Sequence, residues 1–516
     1  MRRHLIIVMG LGLAASACAG PSVLISGESV MPPETPSPVL PIVVLAADDL
    51  TPLGADIVID GAGFAADVTG RSAVVWNEAW DDRAVRLEVA AFGFHAETIT
   101  LEGLPDELPL EVRLEPVVLL GRVTTELGTP MDDVSVELNG ARVLTDADGE
   151  FRFQRATPGD LTATRPAWAS AVVPWEGLVS EVELALEPRQ ERALRVNPAK
   201  AADGRGWTRM LGLADRTEIS AFVLDIKDER GSVHYATSVA TATELGVVVD
   251  SYDVAAALAD MDEHDLYKIG RISAFQDDPL ARLREDLAVR DGTTGGLWKT
   301  NDGKAWLDPT NADAWEYSLE LAAEACALGF DEIQFDDARF PTGGPISSMR
   351  YADDAFDGIT TENYFEEGMQ LSRVETIADF LAEARRRLNP EGCAVAANVF
   401  SITFHSRSDE GIGQLPGPLS YAADVLSPMI YSHNYQPGYN DYEDPNEHAP
   451  QIVGQVLDTG LTRIEGLTIV RPWVQRAFLE APDILAVQSA ASDRGLGWML
   501  WSESSSYDAS FLAPAR

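Results

Sequence analysis

Between residues 42 and 189 apolar and polar positions alternate in short runs, among them ADIVID, RLEVAAF, VSVELNG, GEFRF and EVELALEP, each bounded by turn-forming residues. A period of two puts one row of side chains in a core and the other in water, so these runs predict β-strands. No stretch of this region has a helical period. The region also repeats: EVRLEP (111–116) and EVELALEP (181–188) close two similar segments with the same alternation ended by proline. Two tandem β-sandwiches are expected, over 42–116 and 117–189. DADG (146–149) is read as a hairpin turn with Gly149 at positive φ, because the remaining ligands of a calcium loop are missing.

From about residue 192 the pattern changes to strands alternating with amphipathic helices. Eight strand candidates follow in order: ISAFVLDI, LYKIGRISA, a short one at KAWLD, FDEIQFD, AVAANVF, DVLSPMIY, LTIVRPW and LGWMLW. In TNADAWEYSLELAAEACALG, Trp315, Leu319, Ala322 and Cys326 share a helical face, Thr310 or Asn311 can cap the start and Gly329 can end it. SRVETIADFLAEARRRL (372–388) sets an apolar stripe against arginines. This alternation predicts a (β/α)8 TIM barrel over 192–516. The expected fold class is therefore multidomain, two all-β sandwiches followed by a TIM barrel.

Composition narrows the partners. The formal net charge is −43 over 516 residues. Such a chain repels a phosphate backbone, which excludes nucleic acid as a natural partner. MRRHLIIVMGLGLAASAC has a basic start, an apolar stretch and small residues before Cys18, the plan of an export signal over 1–18. ASAC (15–18) resembles the lipobox of bacterial lipoproteins, which implies that Cys18 is lipidated and anchors the chain to the cell envelope, at the outer membrane where one exists. The alternative is cleavage and simple secretion. Residues 19–41, rich in proline and small polar groups, are expected to be a flexible linker. Cys326 and Cys393 are read as separate buried hydrophobes without a disulfide. The histidines show no metal-binding spacing, so neither metal nor cofactor is expected.

In a TIM barrel the chemistry sits at the carboxyl ends of the strands, on side chains of one parity. In FDEIQFD, Glu332, Gln334 and Asp336 share a face, so Asp336 ends the strand toward the lumen and Asp337 and Arg339 follow on the loop. Asp225 and Lys227 are in phase in LDIKD, with Asp228 beyond. Arg271, Asn398, Tyr431, Arg471, Trp473 and Gln475 fall at equivalent ends of other strands, with His433 and Trp501 close by. Acids and amides that bond hydroxyls, set among aromatic rings that stack on sugar faces, point to a carbohydrate cleft.

LDIKDERG, GRISAFQDDPLA, WLDPTNADAWEY, GFDEIQFDDARFP, DVLSPMIYSHNY, RPWVQ and GWMLWSESSSY follow one another as in a glycoside hydrolase family of bacterial secreted proteins, related to the α-amylase-like TIM barrels, which this chain resembles over about 205–510. The resemblance implies glycoside hydrolysis, with Asp336 in the place of the nucleophile. The amylase-like enzymes carry an arginine two residues before that position and a glutamate at the end of the fifth strand; here stand Gln334 and Asn398, so the proton donor is not supplied. Residues 117–189 resemble the carboxypeptidase-regulatory-type sandwich, and 42–116 do so more loosely.

Glycoside hydrolysis uses two carboxyl groups. The candidates are Asp336 with Asp225, whose phase faces the lumen, or Glu410, on a less cationic loop; Asp228, Asp337, Asp409 and Glu503 are further possibilities. Lys227, Asp228, Arg271, Gln334, Asp337, Arg339, Asn398, Tyr431, His433, Arg471, Trp473, Gln475 and Trp501 are expected to bind substrate. The expected function is hydrolysis of an extracellular or cell-wall polysaccharide at the cell envelope. The alternative is a non-catalytic glycan-binding lipoprotein with a degenerate barrel.

Overall fold

The computed structural model describes residues 37–515 apart from 354, 355, 357–359, 361 and 362. The export signal, Cys18 and most of the expected linker lie outside the described residues. The chain divides into two compact units, one ending at Val117 and the other beginning at Val118.

The first unit is β-rich. Val39–Ala46 runs between Arg71–Val75, antiparallel, and Leu110–Leu114, parallel. Ala55–Ile59, Ala62–Ala66, Val85–Ala90 and Glu97–Leu101 make a separate antiparallel sheet. Alternation sends Leu40, Ile42 and Val44 of one sheet and Ile57, Ile59, Leu87 and Val89 of the other into a single core. The expected linker over 19–41 overlaps this sheet at its end: Val39–Ala46 forms the middle strand, and Pro41 pairs with Ala73 inside it. Proline read as a breaker, but a strand can hold one where a ladder donor is not required.

The second unit opens with the same plan. Val118–Thr125 lies between Glu150–Gln154, antiparallel, and Glu181–Leu186, parallel, and Ser135–Leu138, Ala141–Leu144, Gly159–Thr164 and Ala171–Trp175 form the companion sheet. Strand for strand this matches the first unit, which gives the sequence repeat a structural counterpart. Gly149 has φ 74°, and the Asp146 carboxylate accepts from the backbone N–H groups of Asp148 and Glu150, so DADG forms a turn.

The rest of this unit is a closed parallel barrel of eight strands: β1 (Arg192–Val196), β2 (Ala221–Lys227), β3 (Tyr267–Ser273), β4 (Glu332–Asp336), β5 (Ala394–Phe400), β6 (Val425–Ile430), β7 (Ile469–Val470 continued by Trp473–Gln475) and β8 (Trp498–Trp501). Pairing of β1 with β8 and of β5 with β6 completes the ring. Because helices cover the outside, strands such as β2 are buried on both faces and read as near-continuous apolar runs. The outer helices are α1 (Gly204–Ala214), α2 (Val254–Glu263), α3 (Glu316–Leu328), α4 (Glu367–Leu388), α5 (Pro416–Ala422), α6 (Ala449–Leu461) and α7 (Ala481–Ser492). Gly329, at φ 111°, ends α3 as its sequence suggests, while Asn311 caps a short 3-10 turn just before the helix.

Three expectations are corrected. RALRV, which is not among the eight strand candidates, is the first barrel strand. KAWLD is no barrel strand: Ala305 and Leu307 bridge antiparallel to Lys299 and Ala288 in a loop excursion. One strand missed and one overcounted cancel, so FDEIQFD is still fourth, whereas Asp225 belongs to the second strand. Finally, Cys326 and Cys393 form a disulfide. They are 67 residues apart in sequence, but the parallel pairing of β4 with β5 brings the end of α3 and the start of β5 to the same end of the barrel. No local pattern carries that information.

The β-rich region of the second unit lies against the amino end of the barrel. Between them is a cavity of about 960 Å3, lined by Arg142, Arg165 and Trp168 on one side and Tyr267, Asp331 and Gly392 on the other.

Candidate active site

Inward parity fills the barrel in layers. The middle is apolar or small: Ala193, Ala221, Val223, Tyr267, Ile269, Trp473 and Met499 pack together. Below, Arg471 Nη1 donates to both oxygens of Glu332 at 2.9 Å, with both side chains fully buried. Burial drives the Glu332 carboxyl above its ordinary value in spite of Arg471. Arg471 is therefore a partner in a sealed pair beneath the mouth and does not face substrate. Gln334 is sealed as well, donating to Ser427 Oγ (3.3 Å) and accepting from Trp473 Nε1 (3.2 Å).

At the carboxyl end the charges assemble. Arg271 of β3 donates through Nε (2.9 Å) and Nη2 (2.6 Å) to Asp336 Oδ2, and through Nη1 to Asp225 Oδ1 (3.2 Å). Arg195 of β1 pairs with the other oxygen of Asp225. Asp336 Oδ1 accepts the Asp337 backbone N–H at 2.9 Å, and the Asn398 side chain also donates to Asp336. Asn398 is held in turn by Trp473 Nε1, which donates to its Oδ1 at 2.8 Å. Burial alone would raise the Asp336 carboxyl, but Arg271 and these donors outweigh it and hold the group below the ordinary range. Arg271 comes from the strand beside β4, so it gives Asp336 the cation that Gln334 does not.

Asp337 is tuned the other way. Burial and the Asp336 charge push its carboxyl up, against Arg339 and the Ser273 hydroxyl, which donates to Oδ2 at 2.9 Å. Its backbone sits at φ 50°, an uncommon conformation for a non-glycine residue. Arg339 donates to Asp337 Oδ1 at 3.1 Å and lies over the rings of Trp306 and Phe400.

A hollow of about 720 Å3 opens beside this cluster. Asp225, Asp228, Glu229, Arg271, Trp501 and Glu503 contribute to its walls, and Arg195 lies over the Trp501 ring at 4.3 Å. Asp336 adjoins the hollow through Arg271, with which it is paired. Asp228 is held below its ordinary value, with burial outweighed by His234 and the backbone N–H groups of Ser232 and Arg230. Tyr431, half-buried, is pushed up by burial and the Asp336 charge. Gln475 Oε1 accepts from His433 Nδ1 at 2.7 Å, fixing that ring at the rim.

The structure thus brings Asp225, Asp228, Arg271, Asp336, Asp337, Asn398, Tyr431 and Trp501 around the mouth, and places Trp473, Gln475, His433 and Arg339 as their supports. Lys227 is not among them. A register shift between Asp225 and Lys227 turns it outward, where its ammonium pairs with Asp277 at 2.6 Å, both fully buried. Glu410 stays with its own loop, accepting from Ser408 Oγ at 2.6 Å, and does not line the hollow. Asp409 is locked to Arg373. Two site residues escape the sequence reading. Arg195 was legible only to a reader who counted RALRV as a barrel strand. Glu229, one residue past Asp228, has no strand phase to mark it.

Residues 193–507 match a family model described as "Putative glycosyl hydrolase domain". The chain belongs to that family. The match takes in all eight barrel strands apart from Arg192 at the start of β1, and every mouth residue named above. No curated protein matches the chain. Among solved structures, a hypothetical protein from Ruminiclostridium thermocellum ATCC 27405 is 34% identical, over 40% of this chain and 96% of that one, with a TM-score of 0.34. The glycoside hydrolase domain of PelA from Pseudomonas aeruginosa is 13% identical, over 62% and 97%, with a TM-score of 0.34. TtGalA, an alpha-galactosidase from Thermus thermophilus, is 14% identical, over 86% and 90%, with a TM-score of 0.37. Overlaps this loose assign no role to any residue here.

Proposed function

We propose that this family member hydrolyses a glycosidic bond of an extracellular or cell-wall polysaccharide, with Asp336 as nucleophile and Glu229 as proton donor. One observation carries the reading. Nη2 of Arg271 lies 2.6 Å from Asp336 Oδ2 and 3.8 Å from Glu229 Oε2. One guanidinium nitrogen thus holds the two carboxyl groups close together, which favours the about 5–5.5 Å spacing of retaining glycosidases over the wider spacing of inverting ones. Asp225 does not serve as donor, because it is 1% exposed and clamped between two arginines.

In the first step Asp336 attacks the anomeric carbon as Glu229 protonates the departing oxygen, leaving a glycosyl ester on Asp336. In the second, Glu229 takes a proton from water, which displaces Asp336 and restores the anomeric configuration. Arg271 keeps Asp336 ionised, and Trp501 offers a ring in the hollow wall against which a sugar can rest.

The β-rich regions are read as carboxypeptidase-regulatory-like sandwiches that space the barrel from an envelope anchored through Cys18, and the Cys326–Cys393 disulfide supports an oxidising compartment. The test is a screen of the purified protein on polysaccharides and chromogenic glycosides, with the product anomer followed by proton NMR. Retention, lost in both Asp336→Asn and Glu229→Gln, is expected. Inversion, or equal turnover by Asp336→Asn, would remove this mechanism; binding without turnover by the unaltered chain would favour the degenerate barrel.

A further inference from the structure

One ring at the mouth has no part in that chemistry. Phe478, shortly after β7, is 75% exposed, on a backbone at φ 63°. A bulky residue in the left-handed region is strained, so the loop holds Phe478 outward in a conformation its side chain disfavours.

The ring is not isolated. Its centroid is 5.4 Å from the His433 ring, and His433 lies 5.8 Å from Tyr431 at an interplanar angle of 9°. Gln475, the last residue of β7, ties the two loops together. Its Oε1 accepts from the His433 backbone N–H (3.2 Å) and Nδ1 (2.7 Å), while its Nε2 donates to Ala477 O (2.8 Å) and Asn446 Oδ1 (3.2 Å). Tyr431, at the inner end, feels the Asp336 charge. Three rings therefore step outward from the neighbourhood of Asp336 to solvent, on the β6–β7 side of the mouth, whereas the hollow is walled mainly by residues of β1–β3 and β8 and the loops after them.

We infer that Phe478 and His433 form a stacking subsite for a second sugar of a glycan chain that passes across the mouth, so that the site takes oligomers in preference to single sugars. This rests on the proposed hydrolase reading for its placement relative to Asp336. Aromatic faces meet the C–H faces of pyranose rings, and a fixed ring meets them without a further cost of ordering. His433 adds an imidazole edge for a hydroxyl.

The probes are cello-, chito- and malto-oligosaccharides of one, two, four and six units, titrated by calorimetry into the full chain carrying Asp336→Asn, with and without Phe478→Ala or Phe478→Trp. In at least one series affinity rises with length. Phe478→Ala cuts that gain by about tenfold, the scale of one aromatic contact, and Phe478→Trp keeps it. Matching melting temperatures show that all variants are folded. A length gain that survives Phe478→Ala, or no length gain in any series, overturns the subsite. If the unaltered chain binds long oligomers through Phe478 but cleaves none, the subsite stands and the hydrolase reading alone is lost.

Discussion

The barrel holds two buried arginine–carboxylate clusters that differ in what surrounds them. In the lower one Arg471 and Glu332 face each other one to one, both fully buried, and neither lines the hollow at the mouth. In the upper one Arg195 and Arg271 are shared among Asp225, Asp336 and Glu229, and Arg271 forms part of the wall of a cavity of about 720 Å3. The lower pair is matched one acid to one base, with Arg471 Nε and Nη2 left without hydrogen-bond partners among the described residues. The upper set has more acid than base and stands beside space for a ligand, which is the arrangement reaction chemistry requires. Charge in a barrel lumen is therefore not evidence of catalysis until stoichiometry and access are known.

The sharpest way to break this contrast is substitution at the two acids. Asp336→Asn should lower kcat by 10^3-fold or more, and because Arg271 keeps Asp225 as a counter-charge its melting temperature should fall less than that of Glu332→Gln. Glu332→Gln should do the reverse, costing about 3–5 kcal/mol of stability in denaturant titration by leaving Arg471 buried without its counter-charge, with turnover per folded molecule kept. Replacing both, as Glu332→Leu with Arg471→Met, should recover most of that loss.

Reducing the disulfide, or changing Cys393→Ser, should cost about 2–4 kcal/mol by releasing a long loop in the unfolded chain, again without affecting the chemistry. The smallest effect sharpens the upper cluster itself. Asp336 is held below its ordinary value of 3.8, so the acid limb of kcat/KM should not begin until pH falls below about that point. In Arg271→Met burial is no longer opposed by the guanidinium, the Asp336 carboxyl rises, and the limb should move to higher pH. A limb that stays in place would mean that Arg271 does not control Asp336.

Much of the upper cluster was legible because strand parity is a local property. FDEIQFD alone places Asp336 inward at a strand end, and the same count places Arg271 and Asn398. The count fails where the backbone departs from period two: the register shift after Asp225 turns Lys227 out of the lumen, although the residues themselves still alternate. Parity also says nothing about depth, so Arg471 and Gln334 looked equivalent to mouth residues while lying beneath them. Glu229 and Phe478 stand on loops, whose course is set by tertiary contacts. The β-rich repeat was readable because both copies keep alternation and turn residues at matching positions. The Cys326–Cys393 bond was not, since only the pairing of β4 with β5 brings its two halves together.

The second β-rich region occupies the end of the barrel where the strands begin, leaving a crevice over Tyr267 and Asp331. Whatever approaches the opposite end meets no obstruction from this neighbour. A thread too long to enter a blind pocket can lie across the opening and be held along its length.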